Sequence, residues 1–138
     1  MRVCVIDGQG GGIGSVLIKA IRAEFGESLE IIALGTNAAA TTQMMKARAN
    51  KGASGENAIC HSAARADVIA GPLGIVLANA MMGEVSPRIA AAVAGSPAYK
   101  LLLPLTREEV EVVGVVPEPL PHLVDKLVVK LKELMKDV

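Results

Sequence analysis

At 138 residues, with 51% hydrophobic and 20% charged residues, the chain can bury a self-sufficient core, which excludes a disordered segment and makes a disulfide or metal staple unnecessary. Lys plus Arg and Asp plus Glu are 14 each, and the sequence holds no basic stripe or aromatic platform of the kind that grips nucleic acid. Aromatics are 1%, so the core is left to Ala, Val, Ile, Leu and Met, as close packing of helices on a sheet requires.

Val3–Ile6 is an unbroken apolar run ending at Asp7, the pattern of a strand covered on both faces in a parallel sheet. Glycines follow from Gly8 to Gly14, and then Ile13, Val16, Leu17, Ala20, Ile21 and Phe25 recur at helical spacing, with Gly26 as the stop. Leu29–Leu34 reads as the second strand. Thr36 or Asn37 then caps a helix from about Ala38 to Ala49. Lys51–Glu56 reads as a loop, Asn57–Cys60 as a short strand and Asp67–Ala70 as a fuller one.

Gly71-Pro72-Leu73-Gly74 punctuates the chain before Ile75–Met82, which is apolar nearly all round and predicts a buried helix or an interface element. Ser86-Pro87 opens a helix that Gly95 closes. Tyr99–Leu105 and Val110–Val116 read as two strands, and the four residues between them are too few for a parallel crossover, so this last pair is expected antiparallel. Residues 117–121 form a Pro-rich connector to an amphipathic helix over 122–136, striped by Leu123, Leu127, Leu131 and Leu134. The expectation is one Rossmann-like α/β domain over 1–138, three layers with a doubly wound, mostly parallel sheet.

The loop Gly8-Gln9-Gly10-Gly11-Gly12-Ile13-Gly14 fits G-x-x-x-G-x-G rather than G-x-G-x-x-G. Glycines let backbone approach a ligand, and helix N-terminal amides favour an anion, so a phosphate or pyrophosphate is the expected occupant. Gly35, Thr36 and Asn37 end the second strand where dinucleotide folds place an acid for the ribose, and Gly71 ends the strand at Ala70. Neither an acid nor an Arg stands at residues 35–37, which leaves NAD, NADP, another nucleotide or a plain phosphate ester open as the cofactor. A purely structural glycine turn, in a ligand-sensing or protein-interaction module without catalysis, is the alternative.

Chemistry-bearing residues are few, and no catalytic residue is assigned. Asp7 at the loop mouth is expected to bond loop amides. His61 and His122 have no spaced partners, so no metal site is expected. Cys4 and Cys60 lie in apolar runs without a Cys-x-x-Cys pair, which predicts reduced, buried thiols and suits the cytoplasm. The uncharged stretch Val68–Gly83 is shorter than the ~20 residues of a membrane helix, so no membrane partner is expected. The apolar 75–82 segment and the 122–136 helix point to a homo-oligomer, most simply a dimer.

The spacing of Gly8, Gly12 and Gly14 resembles the cofactor loop of short-chain dehydrogenases and reductases, over the first 35 or so residues. That family's Tyr-x-x-x-Lys pair is missing, since the lone Tyr99 is followed by Leu103, and no catalytic residue carries over. Taken with residues 33–38, 55–59 and 71–75, the loop is similar to a family of small bacterial proteins catalogued as a domain of unknown function, to about Val116. That resemblance implies a Rossmann-like fold and carries over no established activity.

Overall fold

The computed structural model describes residues 1–136, so the last two residues of the expected 1–138 unit lie outside the described residues. The elements run β1 (Arg2–Asp7), α1 (Gly12–Phe25), β2 (Glu30–Gly35), α2 (Ala38–Lys46), β3 (Lys51–Ser54), α3 (Glu56–Ala63), β4 (Val68–Pro72), α4 (Pro87–Ala94), β5 (Tyr99–Leu103) and α5 (Leu120–Lys136). The five strands form one parallel sheet in the order β3-β2-β1-β4-β5. From β1 the chain adds strands first on one side and then on the other, which makes the junction of β1 and β4 the point where the winding reverses.

Alternate residues of β1 feed two cores. Val3 and Val5 pack with Leu17, Ile18 and Ile21 of α1, Met44 of α2 and the Leu123, Leu127 and Leu131 stripe of α5. Cys4 and Ile6 face Ile59 of α3 and Ile89 and Val93 of α4. Both faces are thus covered by helices, which is why Val3–Ile6 of β1 carries no polar residue. Each of Leu17, Ile18 and Ile21 is fully buried, a contribution of roughly 1.5–3 kcal/mol apiece, and that burial rather than a side-chain cap holds α1, whose N-cap is Gly11.

Several expectations differ from the structure. Val110–Val116 is not a strand: the chain turns at Pro104, where the Leu105 amide bonds the Leu103 carbonyl at 2.7 Å, and again at Gly114, φ 93°. Charged Glu109 and Glu111 and this turn leave the run without a continuous face to bury, and Val113 stays 90% exposed. Among the described residues every strand pairing is parallel, and the antiparallel last pair is absent.

Lys51–Ser54 is the edge strand β3 rather than a loop. It registers with Ile32–Gly35, and as a largely exposed edge it needs no apolar run. Asn57–Cys60 belongs instead to α3, where Ile59 and Ala63 turn inward at helical spacing. Cys60 is accordingly half-buried on a helix and consecutive with His61 there, whereas Cys4 is fully enclosed and burial pushes its thiol up to about 11. In 75–82 there is no helix beyond a short 3₁₀ turn over Leu73–Val76; turns follow, burying Ile75 and Ala80 and leaving Met82 95% exposed.

The α5 stripe expected at an interface is covered within the chain. Leu131 is fully buried, Lys132 pairs with Glu24 of α1, and the outer face carries the exposed Val129. Among the described residues no helix is long and apolar enough to cross a membrane, and no cluster of His, Cys, Asp or Glu could hold a metal.

Candidate functional site at the carboxyl edge of the sheet

A cleft of about 760 Å³ opens where β1, β4 and β5 end. Its walls are the loop after β1 (Gly8–Ile13), the segment after β4 (Pro72, Gly74, Asn79, Met81, Met82) and the loop after β5 (Leu105–Glu108). This is the side where the strand order reverses, the place open α/β sheets reserve for ligands, and the volume suits a small molecule.

Asp7 forms the floor. Only 3% exposed, it accepts from the Gly8 amide at 2.8 Å and the Gly14 amide at 2.7 Å, the bonding its position in the sequence predicts. Burial raises its carboxyl above the usual range, opposed by the amides of Gly14, Gly8 and Ile13 and reinforced by the charge of Glu84. An internal carboxylate therefore already answers part of the α1 N-terminus. The amides of Gly10 and Gly12 meet no acceptor among the described residues.

The predicted site glycines divide by cause. A Cβ at Gly8 would lie 2.5 Å from Thr36 Oγ1 and 2.6 Å from Met81 Sδ; one at Gly11, which also holds φ 71°, would lie 2.7 Å from the Ala40 carbonyl oxygen. A Cβ at Gly14 would strike Met44 Sδ, one at Gly35 the Thr41 hydroxyl and one at Gly71 the Ile6 carbonyl oxygen. These five are demanded by packing. At Gly10 and Gly12 a Cβ meets nothing within 4 Å and neither φ is positive, so neither the turn nor the packing explains the missing side chain. Ile13 lines the cleft beside them.

Thr36 and Asn37 stand outside the cleft wall and converge on a residue that sequence reasoning missed. Glu84 Oε1 accepts from the Gln9 amide at 2.8 Å, the Thr36 hydroxyl at 2.6 Å and Asn37 Nδ2 at 2.8 Å. Burial would raise this carboxyl, but the bonds from Thr36, Gln9 and Asn37 outweigh it and hold it below the ordinary range. Asn37 also caps α2, its Oδ1 accepting from the Ala40 amide. No local signal marks Glu84; its partners are 47 to 75 positions away.

A second carboxylate, Glu108, accepts from the Met81 amide at 3.0 Å, so Glu84 and Glu108 clip together the loops after β1, β2, β4 and β5. The clipped segment is bent hard: Asn79, Met81 and Met82 hold φ of 68°, 58° and 58°, and Gln9 across the cleft holds 49°. Left-handed backbone at non-glycine residues is costly, and four of the five described instances sit at this edge, the fifth being Arg48 after α2 at the opposite one. Among the described residues Arg107 is the one cation lining the cleft.

No curated protein matches the sequence. Among solved structures, the crystal structure of a dodecameric FMN-dependent Ubix-like decarboxylase from Escherichia coli O157:H7 is similar at a TM-score of 0.52 and 17% identity, over 99% of this chain and 94% of that one. At that identity the likeness concerns the fold alone, a parallel sheet covered by helices on both faces. The family model described as Domain of unknown function (DUF3842) matches residues 2–136, past the Val116 limit of the sequence resemblance and through α5, and the chain belongs to that family.

Proposed function

We infer that the chain binds a phosphate-bearing mononucleotide of the flavin type in the cleft, its phosphate on the Gly10 and Gly12 amides and its ring system against Ile13, Met81, Met82 and Leu105. The observation that carries this reading is the pair of glycines that the fold does not require: bare backbone facing open space, with unused N–H groups, at the start of a helix. Arg107 supplies the positive charge that Asp7 and Glu108 would otherwise deny a phosphate. The FMN of the similar fold supports a mononucleotide over the NAD(P) that the loop spacing alone left open.

A flavin would bring electron-transfer chemistry with it, and the chain's contribution is to bind and orient it. No nucleophile–base pair lines the cleft among the described residues, which fits a site that binds rather than one that reacts through its own side chains. We further infer a homo-oligomer built through the exposed Met82 end of the 75–82 segment rather than the covered face of α5.

The test is a fluorescence titration of the purified chain with FMN and with riboflavin. FMN binding at least tenfold tighter than riboflavin supports a phosphate seat; equal affinity removes it. Binding of NADH or NADPH above FMN restores the dinucleotide reading, and failure of all of them leaves the interaction module. Sedimentation at tens of micromolar reads the oligomer, and a monomer mass contradicts it.

A further inference from the structure

We propose that Glu84 is the acid that recognises the sugar or sugar-alcohol hydroxyls of the bound phosphate ester, supplied to the end of β2 from the β4–α4 segment instead of from β2 itself. The proposal rests on the phosphate reading above and specifies the ligand: a phosphate joined to a vicinal polyol, ribose or ribityl.

The two oxygens of Glu84 are used unevenly. Oε1 takes three donors, from Gln9, Thr36 and Asn37, which fixes the carboxylate in place from two separate loops. Oε2 accepts nothing among the described residues. Since no buried side-chain oxygen or nitrogen lacks a partner, Oε2 is open to solvent. Asp7 contrasts with it: one amide on each oxygen, and both enclosed.

Position supports the same role. Glu84 Oε1 is 2.8 Å from the Gln9 amide, and Gln9 precedes Gly10 in the chain. Consecutive residues are ~3.8 Å apart, which puts the Gly10 amide and the Glu84 carboxylate within about 7 Å of each other, the reach from a phosphate ester to hydroxyls on the same sugar or ribityl chain. The bent segment that delivers Glu84 passes through Met81 and Met82 of the cleft wall; Glu84 itself is not a wall residue but bonds the amide of Gln9, which is. Dinucleotide folds meet ribose hydroxyls with an acid at this end of β2, and here Thr36 and Asn37 occupy that place and hold Glu84 there instead. A fixed carboxylate oxygen with no internal donor makes charge-assisted bonds to hydroxyls.

Two probes test this: FMN, and a flavin phosphate whose five-carbon side chain lacks the three free hydroxyls. Wild type is expected to bind FMN at least tenfold tighter, and Glu84→Gln, which keeps an oxygen for the three donors, to reduce that ratio to threefold or less. Equal affinity of wild type for the two probes overturns the proposal while leaving the phosphate seat intact, and this comparison needs no variant to fold. A Glu84→Gln variant that keeps the wild-type ratio overturns it as well. If neither probe binds and riboflavin does not either, the phosphate reading falls and takes this one with it.

Discussion

At the end of the sheet where β2 and β3 begin, Arg22 uses all five of its N–H groups: Nε and Nη2 on the Arg48 carbonyl, Nη1 on those of Gly26 and Leu29, and Nη2 again on Asn50 Oδ1. At the opposite end, where β1 and β2 finish, the inventory does not close: Glu84 Oε2 and the amides of Gly10 and Gly12 have no partner among the described residues. The first end ties the exits of α1 and α2 to the entries of β2 and β3 through a guanidinium whose donors are all used within the chain. The second has four of the five left-handed non-glycine residues, the fifth being Arg48 at the first end, together with open glycines and half-used acids. A polar group at the first end contributes to stability; at the second, part of its capacity is reserved.

The largest effect should fall at the closed end. Arg22→Met strands the Gly26, Leu29 and Arg48 carbonyls and is expected to cost about 3 kcal/mol in urea denaturation, without weakening FMN in the folded fraction. A loss under about 1 kcal/mol would mean that water replaces the guanidinium and that the end is not closed. Next in size is Gly14→Ala, whose added methyl meets Met44 and Asp7 and should cost about 1–3 kcal/mol. Gly12→Ala, two residues away, should leave the unfolding midpoint unchanged or slightly raised. Equal losses would erase the division between packing glycines and open ones.

The smallest effect separates the two acids of the open end. Asp7 is raised by burial, so its favourable contribution is fully present below the ordinary value of about 3.9 and is lost as pH rises through its folded value; the deficit of Asp7→Asn should shrink with rising pH. Glu84 is lowered, so its contribution is present above about 4.3 and lost as pH falls through its folded value; the deficit of Glu84→Gln, under about 1 kcal/mol, should vanish in acid. Stability curves of the two variants against pH that run in parallel would contradict these assignments.

β1, α1, β2 and the start of α2 were legible in the sequence, from continuous apolar runs, helical spacing and a cap at Thr36 or Asn37; α3 was not, because its short Asn57–Cys60 run reads equally as a strand. β3 was not, because an exposed edge strand needs no apolar residue and Lys51-Gly52-Ala53-Ser54 carries turn composition. Val110–Val116 misled in the other direction, since β-branched residues signal a strand only where a neighbour has a free edge in register. In the site, the Gly8–Gly14 loop and Asp7 could be read locally. The division of the glycines could not, because it depends on Met44, Ala40 and Thr41 of α2. Nor could Glu84, whose partners are brought to it by the winding of the sheet.

The central claim is that Gly10 and Gly12 are bare for a ligand's phosphate. The direct measurement is the FMN dissociation constant of wild type, Gly10→Val and Gly12→Val, with a thermal melt of each. Unchanged melts with FMN affinity reduced at least tenfold in both variants, and riboflavin affinity little altered, is the predicted result. Wild-type FMN affinity in both folded variants would contradict it and return the whole loop to a structural turn.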